Sequence, residues 1–113
     1  MHGWPFWHVT LTVAGPPVAE PEIRAGLERL SHEHPFLLSG RYGVDCAEVR
    51  YWEEAPDAAA VTALALRLWE DHRVTSGLPT WDVVGVEVVD RATFHRRGSV
   101  PLTPVSLVGV APF

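Results

Sequence analysis

Phe36-Leu-Leu-Ser-Gly-Arg-Tyr-Gly-Val-Asp-Cys-Ala-Glu-Val-Arg-Tyr-Trp-Glu53 is the stretch that decides the fold. Over its second half Ala47, Val49 and Tyr51 alternate with Glu48, Arg50 and Trp52. That is the period of two of a strand with one face buried. Phe36 to Tyr42 reads as the preceding strand, and Tyr42-Gly-Val-Asp45 as the tight turn between them. Strands this close in sequence pair as an antiparallel hairpin.

A helix flanks the hairpin on each side. Upstream, Ile23, Leu27 and Leu30 form one apolar stripe, with Pro21 in the first turn, Glu20 and Glu22 at the positive end of the dipole, and Pro35 as the stop. Downstream, Asp57 after Pro56 suits an N-cap. The helix it opens runs to about His72 or Arg73 on the stripe Val61, Leu64, Ala65, Leu68 and His72, widened by Leu66 and Trp69. Gly77 and Pro79 close that region.

Strands lie outside both helices. Trp7, Val9, Leu11 and Val13 alternate with His8, Thr10 and Thr12 before Gly15-Pro-Pro17 breaks the pattern. Trp81 to Val89 is the last strand, with Val84, Val86 and Val88 opposite Val83, Gly85 and Glu87. The order strand, helix, strand, strand, helix, strand predicts an α+β, ferredoxin-like βαββαβ domain. Its four-stranded antiparallel sheet has the order 4-1-3-2, with both helices on one face. Residues 1–97 form this domain, and residues 98–113 are an uncharged, apolar C-terminal extension. Neither end carries Asp, Glu or Arg before Glu20 or after Arg97. Left free, such segments would expose Trp4, Phe6, Leu107 and Phe113, so both are expected to pack, with Val105-Ser-Leu-Val108 adding a strand to a sheet edge.

The sheet face without helices then carries His8, Thr10 and Thr12 from strand one, and Leu37, Ser39 and Arg41 from strand two. Strand three adds Glu48, Arg50 and Trp52; strand four adds Trp81, Val83, Gly85 and Glu87. Strand one is flanked by strands three and four, which brings His8, Arg50 and Glu87 together. A histidine oriented by a carboxylate beside an arginine can move a proton or bind an anion, so these three are the catalytic candidates. Thr10, Arg41, Trp52 and Trp81 are the ligand-binding candidates, the tryptophans as walls for a flat or anionic ligand. The competing explanation of the same residues is a mixed polar sheet face, or the polar part of an interface with tryptophan anchors.

Composition removes several classes of chemistry. The net charge is −5 at pH 7 with no concentration of arginine, which argues against nucleic acid as a partner. The long uncharged stretches carry prolines and fall short of a spanning helix of about 20 residues, so no membrane partner is expected and the cytoplasm is the expected location. Lysine, asparagine and glutamine are absent. Without lysine there is no Schiff base, no pyridoxal-phosphate anchor and no P-loop. No cofactor is expected. Cys46 is the single cysteine, with no cationic neighbour to activate it. His32-Glu-His34 looks like a metal pair, but residues i and i+2 of a helix point to different sides, so no metal is expected there. His34 instead continues the 23-27-30 stripe.

His8-Val-Thr10-Leu resembles half of the paired His-x-Thr signature of the two-histidine phosphoesterases. The second half is missing: His95 is followed by Arg96-Arg97, and His72 by Arg73-Val74. Arg41-Tyr-Gly43, Ala47-Glu-Val-Arg-Tyr-Trp-Glu-Glu54, Leu64-Ala-Leu-Arg-Leu-Trp69 and Trp81-Asp-Val-Val-Gly-Val-Glu-Val-Val-Asp-Arg91 resemble a group of small actinobacterial proteins of unknown function. The likeness covers residues 7 to 97 and implies no activity. At the level of fold the chain is also similar to small ferredoxin-like modules that bind metabolites or pair through their sheets. The expected role is a non-catalytic assembly or interaction domain, a homodimer or the partner of another protein. The alternative is a small-molecule binder or hydrolase-like enzyme with its site around His8.

Overall fold

The computed structural model describes residues 3–97 and 109–113. Its elements are β1 (Phe6–Ala14), α1 (Glu20–Glu33), β2 (Leu37–Tyr42), β3 (Cys46–Glu54), α2 (Ala58–Ser76), β4 (Asp82–Asp90), α3 (Arg91–Arg97) and β5 (Gly109–Pro112). They make an α+β fold around one mixed sheet of order β4-β1-β3-β2-β5. The expected four-stranded antiparallel, ferredoxin-like sheet is corrected in two respects. Residues Gly109–Pro112 add a fifth strand, parallel to β2 and in register Ser39↔Gly109 to Tyr42↔Pro112. A third helix also follows β4 directly. The expected edge strand at Val105–Val108 lies outside the described residues.

Local chemistry accounts for the helix ends. Asp57 caps α2 by accepting from Ala60 N at 2.8 Å, and Gly77 closes it in the left-handed conformation at φ 70°. That places the end of α2 at Ser76, one turn beyond the expected His72 or Arg73. Pro21 sits in the first turn of α1, and the His34 N–H closes its last turn on Leu30 O at 2.8 Å. Asp90 opens α3 by accepting from Thr93 N at 2.7 Å.

The core lies between the sheet and α1 with α2. Val9, Leu11 and Val13 of β1 and Val49 and Tyr51 of β3 meet Ile23, Leu27 and Leu30 of α1 and Val61, Ala65, Leu68 and Trp69 of α2. Burying each valine, leucine or isoleucine among them stabilises by roughly 1.5–3 kcal/mol before the ordering entropy is subtracted.

Two irregularities in the sheet move side chains to the opposite face from the one expected. The β1–β4 register shifts between Thr12 and Val13: Thr12 pairs with Gly85, and Val13 with Val83. Val84 is the extra residue of a bulge, which reverses the alternation below it. Val83 therefore packs on the core with Val86 and Val88, and Trp81 goes inward with it. The β2–β3 register shifts in the same way between Leu37 and Ser39, so Leu37 also joins the core side. The expected positions of Trp81, Val83 and Leu37 on the helix-free face are thus corrected.

Trp81 is 5% exposed, stacked on Trp69 with ring centroids 6.2 Å apart, and donates from Nε1 to Pro16 O at 2.8 Å. A Cβ at Gly15 would collide with its indole, so glycine is required where the chain leaves β1. Among the described residues no helix is long and apolar enough to cross a membrane.

Candidate functional site

Above the β4 bulge, alternation places His8, Thr10 and Thr12 on the helix-free face with Glu48, Arg50 and Trp52 of β3. His8 faces Trp52 on one side and Val89 on the other; Thr10 faces Arg50 and Glu87; Thr12 faces Glu48 and Gly85. Ser39 and Arg41 of β2 continue the row opposite Arg50 and Glu48. His8, Arg50 and Glu87 therefore share one face, but Glu87 stands opposite Thr10 and lies diagonal to His8. Its carboxylate accepts from Arg97 Nη1 at 3.3 Å. Arg50 points its Nε at Glu48 Oε1, 3.4 Å away. Neither group hydrogen-bonds the imidazole.

α3 changes the character of this face. Phe94 lies over His8 with ring centroids 4.3 Å apart, and Trp52 closes the side with its ring edge-on at 5.4 Å. Phe94 also meets Trp52 at 4.8 Å. His8 is left 5% exposed. Burial, reinforced by Arg50 and Arg97 and only partly offset by Glu87, lowers its pKa to about 4. Near pH 7 it is a neutral imidazole walled in by aromatic rings. His8 and Thr10 do project to the same face, as a His-x-Thr pair requires, but the cover leaves the imidazole no open side for a phosphoester.

Three kinds of surface remain on or beside this face. A shallow depression of about 170 Å³ is lined by Ser39, Arg41, Glu48 and Arg50. At the other end, Phe6 and Phe36 meet edge to face at 5.5 Å, and Phe36 is 51% exposed. The β4 bulge leaves Val84 63% exposed. Trp81 takes no part in any of these. A larger groove of about 390 Å³ runs between α1 and the β2–β5 edge, lined by Glu28, His32, Leu38 and Val110 among others.

A second polar cluster sits at the end of the helical layer. Glu33, the last residue of α1, accepts from Thr75 Oγ1 at 2.8 Å and lies 2.7 Å from His72 Nδ1, both on α2. These contacts hold its carboxyl below the usual carboxylate range. His34 points Nε2 at Glu53 Oε1, 3.5 Å away, and packs its ring on Tyr51 at 4.9 Å. Among the described residues the buried Tyr51 hydroxyl and His34 Nδ1 have no hydrogen-bond partner, and burial pushes the phenol pKa up. The helix stripes foretold that His34 and His72 face inward, but nothing local signalled that they meet the carboxylates of Glu53 and Glu33.

His32 goes elsewhere, with Nδ1 2.8 Å from the Glu28 carbonyl, so His32 and His34 do not form a chelating pair. Among the described residues no three His, Cys, Asp or Glu side chains are grouped to hold a metal ion. Burial and the neighbouring Asp45 raise the Cys46 thiol pKa, the opposite of activation.

No curated protein matches this chain. Residues 6–104, from β1 to beyond α3, match the sequence family described as Domain of unknown function (DUF8830), and the chain belongs to that family.

Proposed function

We propose that this chain is a non-catalytic, cytoplasmic interaction domain that self-associates through the end of its sheet where Phe6 and Phe36 meet. The observation that carries this reading is Phe36, an aromatic ring half in solvent and packed edge-on against Phe6. Trp4, two residues before β1 begins, is 55% exposed. Large aromatics left in solvent at one sheet end are characteristic of contact surfaces, where they become anchors once desolvated. The state of His8 supports a binding role over a catalytic one. A general base should titrate near the working pH and reach its substrate, whereas this imidazole is depressed and covered.

The test is the solution mass of the full chain by multi-angle light scattering across micromolar concentrations. The wild type is expected to approach twice the 12.5 kDa chain mass, and Phe36→Ser to return it to the monomer. A wild-type mass that stays at 12.5 kDa throughout refutes self-association.

A further inference from the structure

We infer that the depression between β2 and β3 on the helix-free face is a socket for one oxyanion group, a carboxylate or a phosphate, gripped by Arg41 and Arg50 over Ser39. This goes beyond the self-association reading and uses different residues, so either can fail alone.

The backbone register builds the socket. Ser39 pairs with Arg50 and Arg41 with Glu48, so four side chains from two adjacent strands converge on one patch. Their depression, about 170 Å³, is below the roughly 300 Å³ at which pockets for whole small molecules begin. It suits a single charged group. Ser39, 4% exposed, supplies a hydroxyl at its lining.

Charge decides what enters. The lining holds two guanidinium groups against one carboxylate, an excess of positive charge on a chain whose net charge is −5. Arg41 makes no ion pair among the described residues. Residues 1–2 and 98–108 contain no Asp or Glu that could supply one. Arg50 is only loosely engaged: its 3.4 Å contact with Glu48 is longer than the roughly 2.7–2.9 Å of a tight charge-assisted bond, and it runs through Nε alone. Among the described residues the terminal nitrogens of both arginines are thus uncommitted. A planar fork of N–H donors matches the paired oxygens of a carboxylate or phosphate better than a point cation would. His8, neutral near pH 7, adds no charge to the grip. Glu48 sets the affinity by competing with the incoming anion for Arg50.

The full chain, labelled with 15N-arginine, would be titrated with inorganic phosphate and separately with acetate, at constant ionic strength. The Arg41 and Arg50 Nε–Hε signals are expected to move along one saturating curve. The Arg67 signal, from an exposed helix position, is expected to stay in place. Arg41→Gln should weaken the apparent affinity at least tenfold, and Glu48→Gln should strengthen it several-fold. Saturation by phosphate alone assigns the socket to phosphate, by acetate alone to carboxylate, and by both to either; each outcome supports the inference. Arg41 and Arg50 signals that move no more than that of Arg67, or an affinity unchanged in Arg41→Gln, would overturn it.

Discussion

Acid should destabilise this protein through His8 well before its carboxylates are protonated. The unfolded imidazole takes up a proton near pH 6.5, whereas the folded one, under Phe94 and beside Arg50, does so only at about 4. Between those values the unfolded chain holds one more proton than the native state, so stability falls as the pH falls. Integrating that difference gives a loss relative to pH 7.5 of about 1 kcal/mol at pH 5.5 and about 2–3 kcal/mol at pH 4.5. His8→Phe keeps an aromatic ring between Phe94 and Trp52 and removes the titrating group. Carboxylates such as Glu33 and Asp90, also held below their ordinary range, act alike in both proteins and cancel in the comparison. Urea unfolding followed by tryptophan fluorescence at pH 7.5, 6.5, 5.5 and 4.5 measures the two curves. His8→Phe should gain on the wild type by the amounts above as the pH drops. A difference that is the same at all four pH values would refute the burial of His8 beneath α3.

Trp81→Phe should cost about 2 kcal/mol in the same assay: roughly 1 for leaving the Pro16 carbonyl without its donor and about as much again for the smaller ring against Trp69. A change below a few tenths of a kcal/mol would place the indole in solvent. Gly15→Ala should cost about 1–3 kcal/mol, since its methyl group meets an indole pinned by a hydrogen bond and by stacking; unaltered unfolding would show that Trp81 has room to move.

The hairpin and the caps were legible because their signals are local. Tyr42-Gly-Val-Asp45 sits between two alternating segments, and Asp57 stands at its N-cap, so neighbours in sequence carry the information. β4 was readable as a strand but not in its facing. Val83, Val84, Val86, Val88 and Val89 supply apolar residues of both parities, and only pairing with β1 reveals that Val84 is the extra one. That ambiguity put Trp81 among the ligand-binding candidates. α3 offers one large apolar residue in seven, too little for a periodic pattern, although Asp90 is a residue type favoured at a helix N-cap and could have been used. Missing α3 meant missing Phe94, and with it the cover that makes His8 a buried group. Arg41, Arg50 and Thr10 landed where alternation put them, because β3 is regular through that region.

The central position of β1 governs how the chain must fold. Its neighbours β3 and β4 both come later in the sequence, 32 to 83 residues away: Thr10 waits for Arg50 on one side and for Glu87 on the other. Of the described strand pairs only β2 and β3 are joined by a short turn; each of the others closes a long loop before it returns any energy. Contacts of such range slow folding, and among the described strands the first to be synthesised is the one whose two edges stay open longest. Its segment Trp7-His-Val-Thr-Leu-Thr-Val13 has high β-propensity and no charge, the composition of a sequence that recruits other strands while it waits. Yield on expression should therefore respond to charge placed at Thr12, which faces away from the helical layer, more than native stability does.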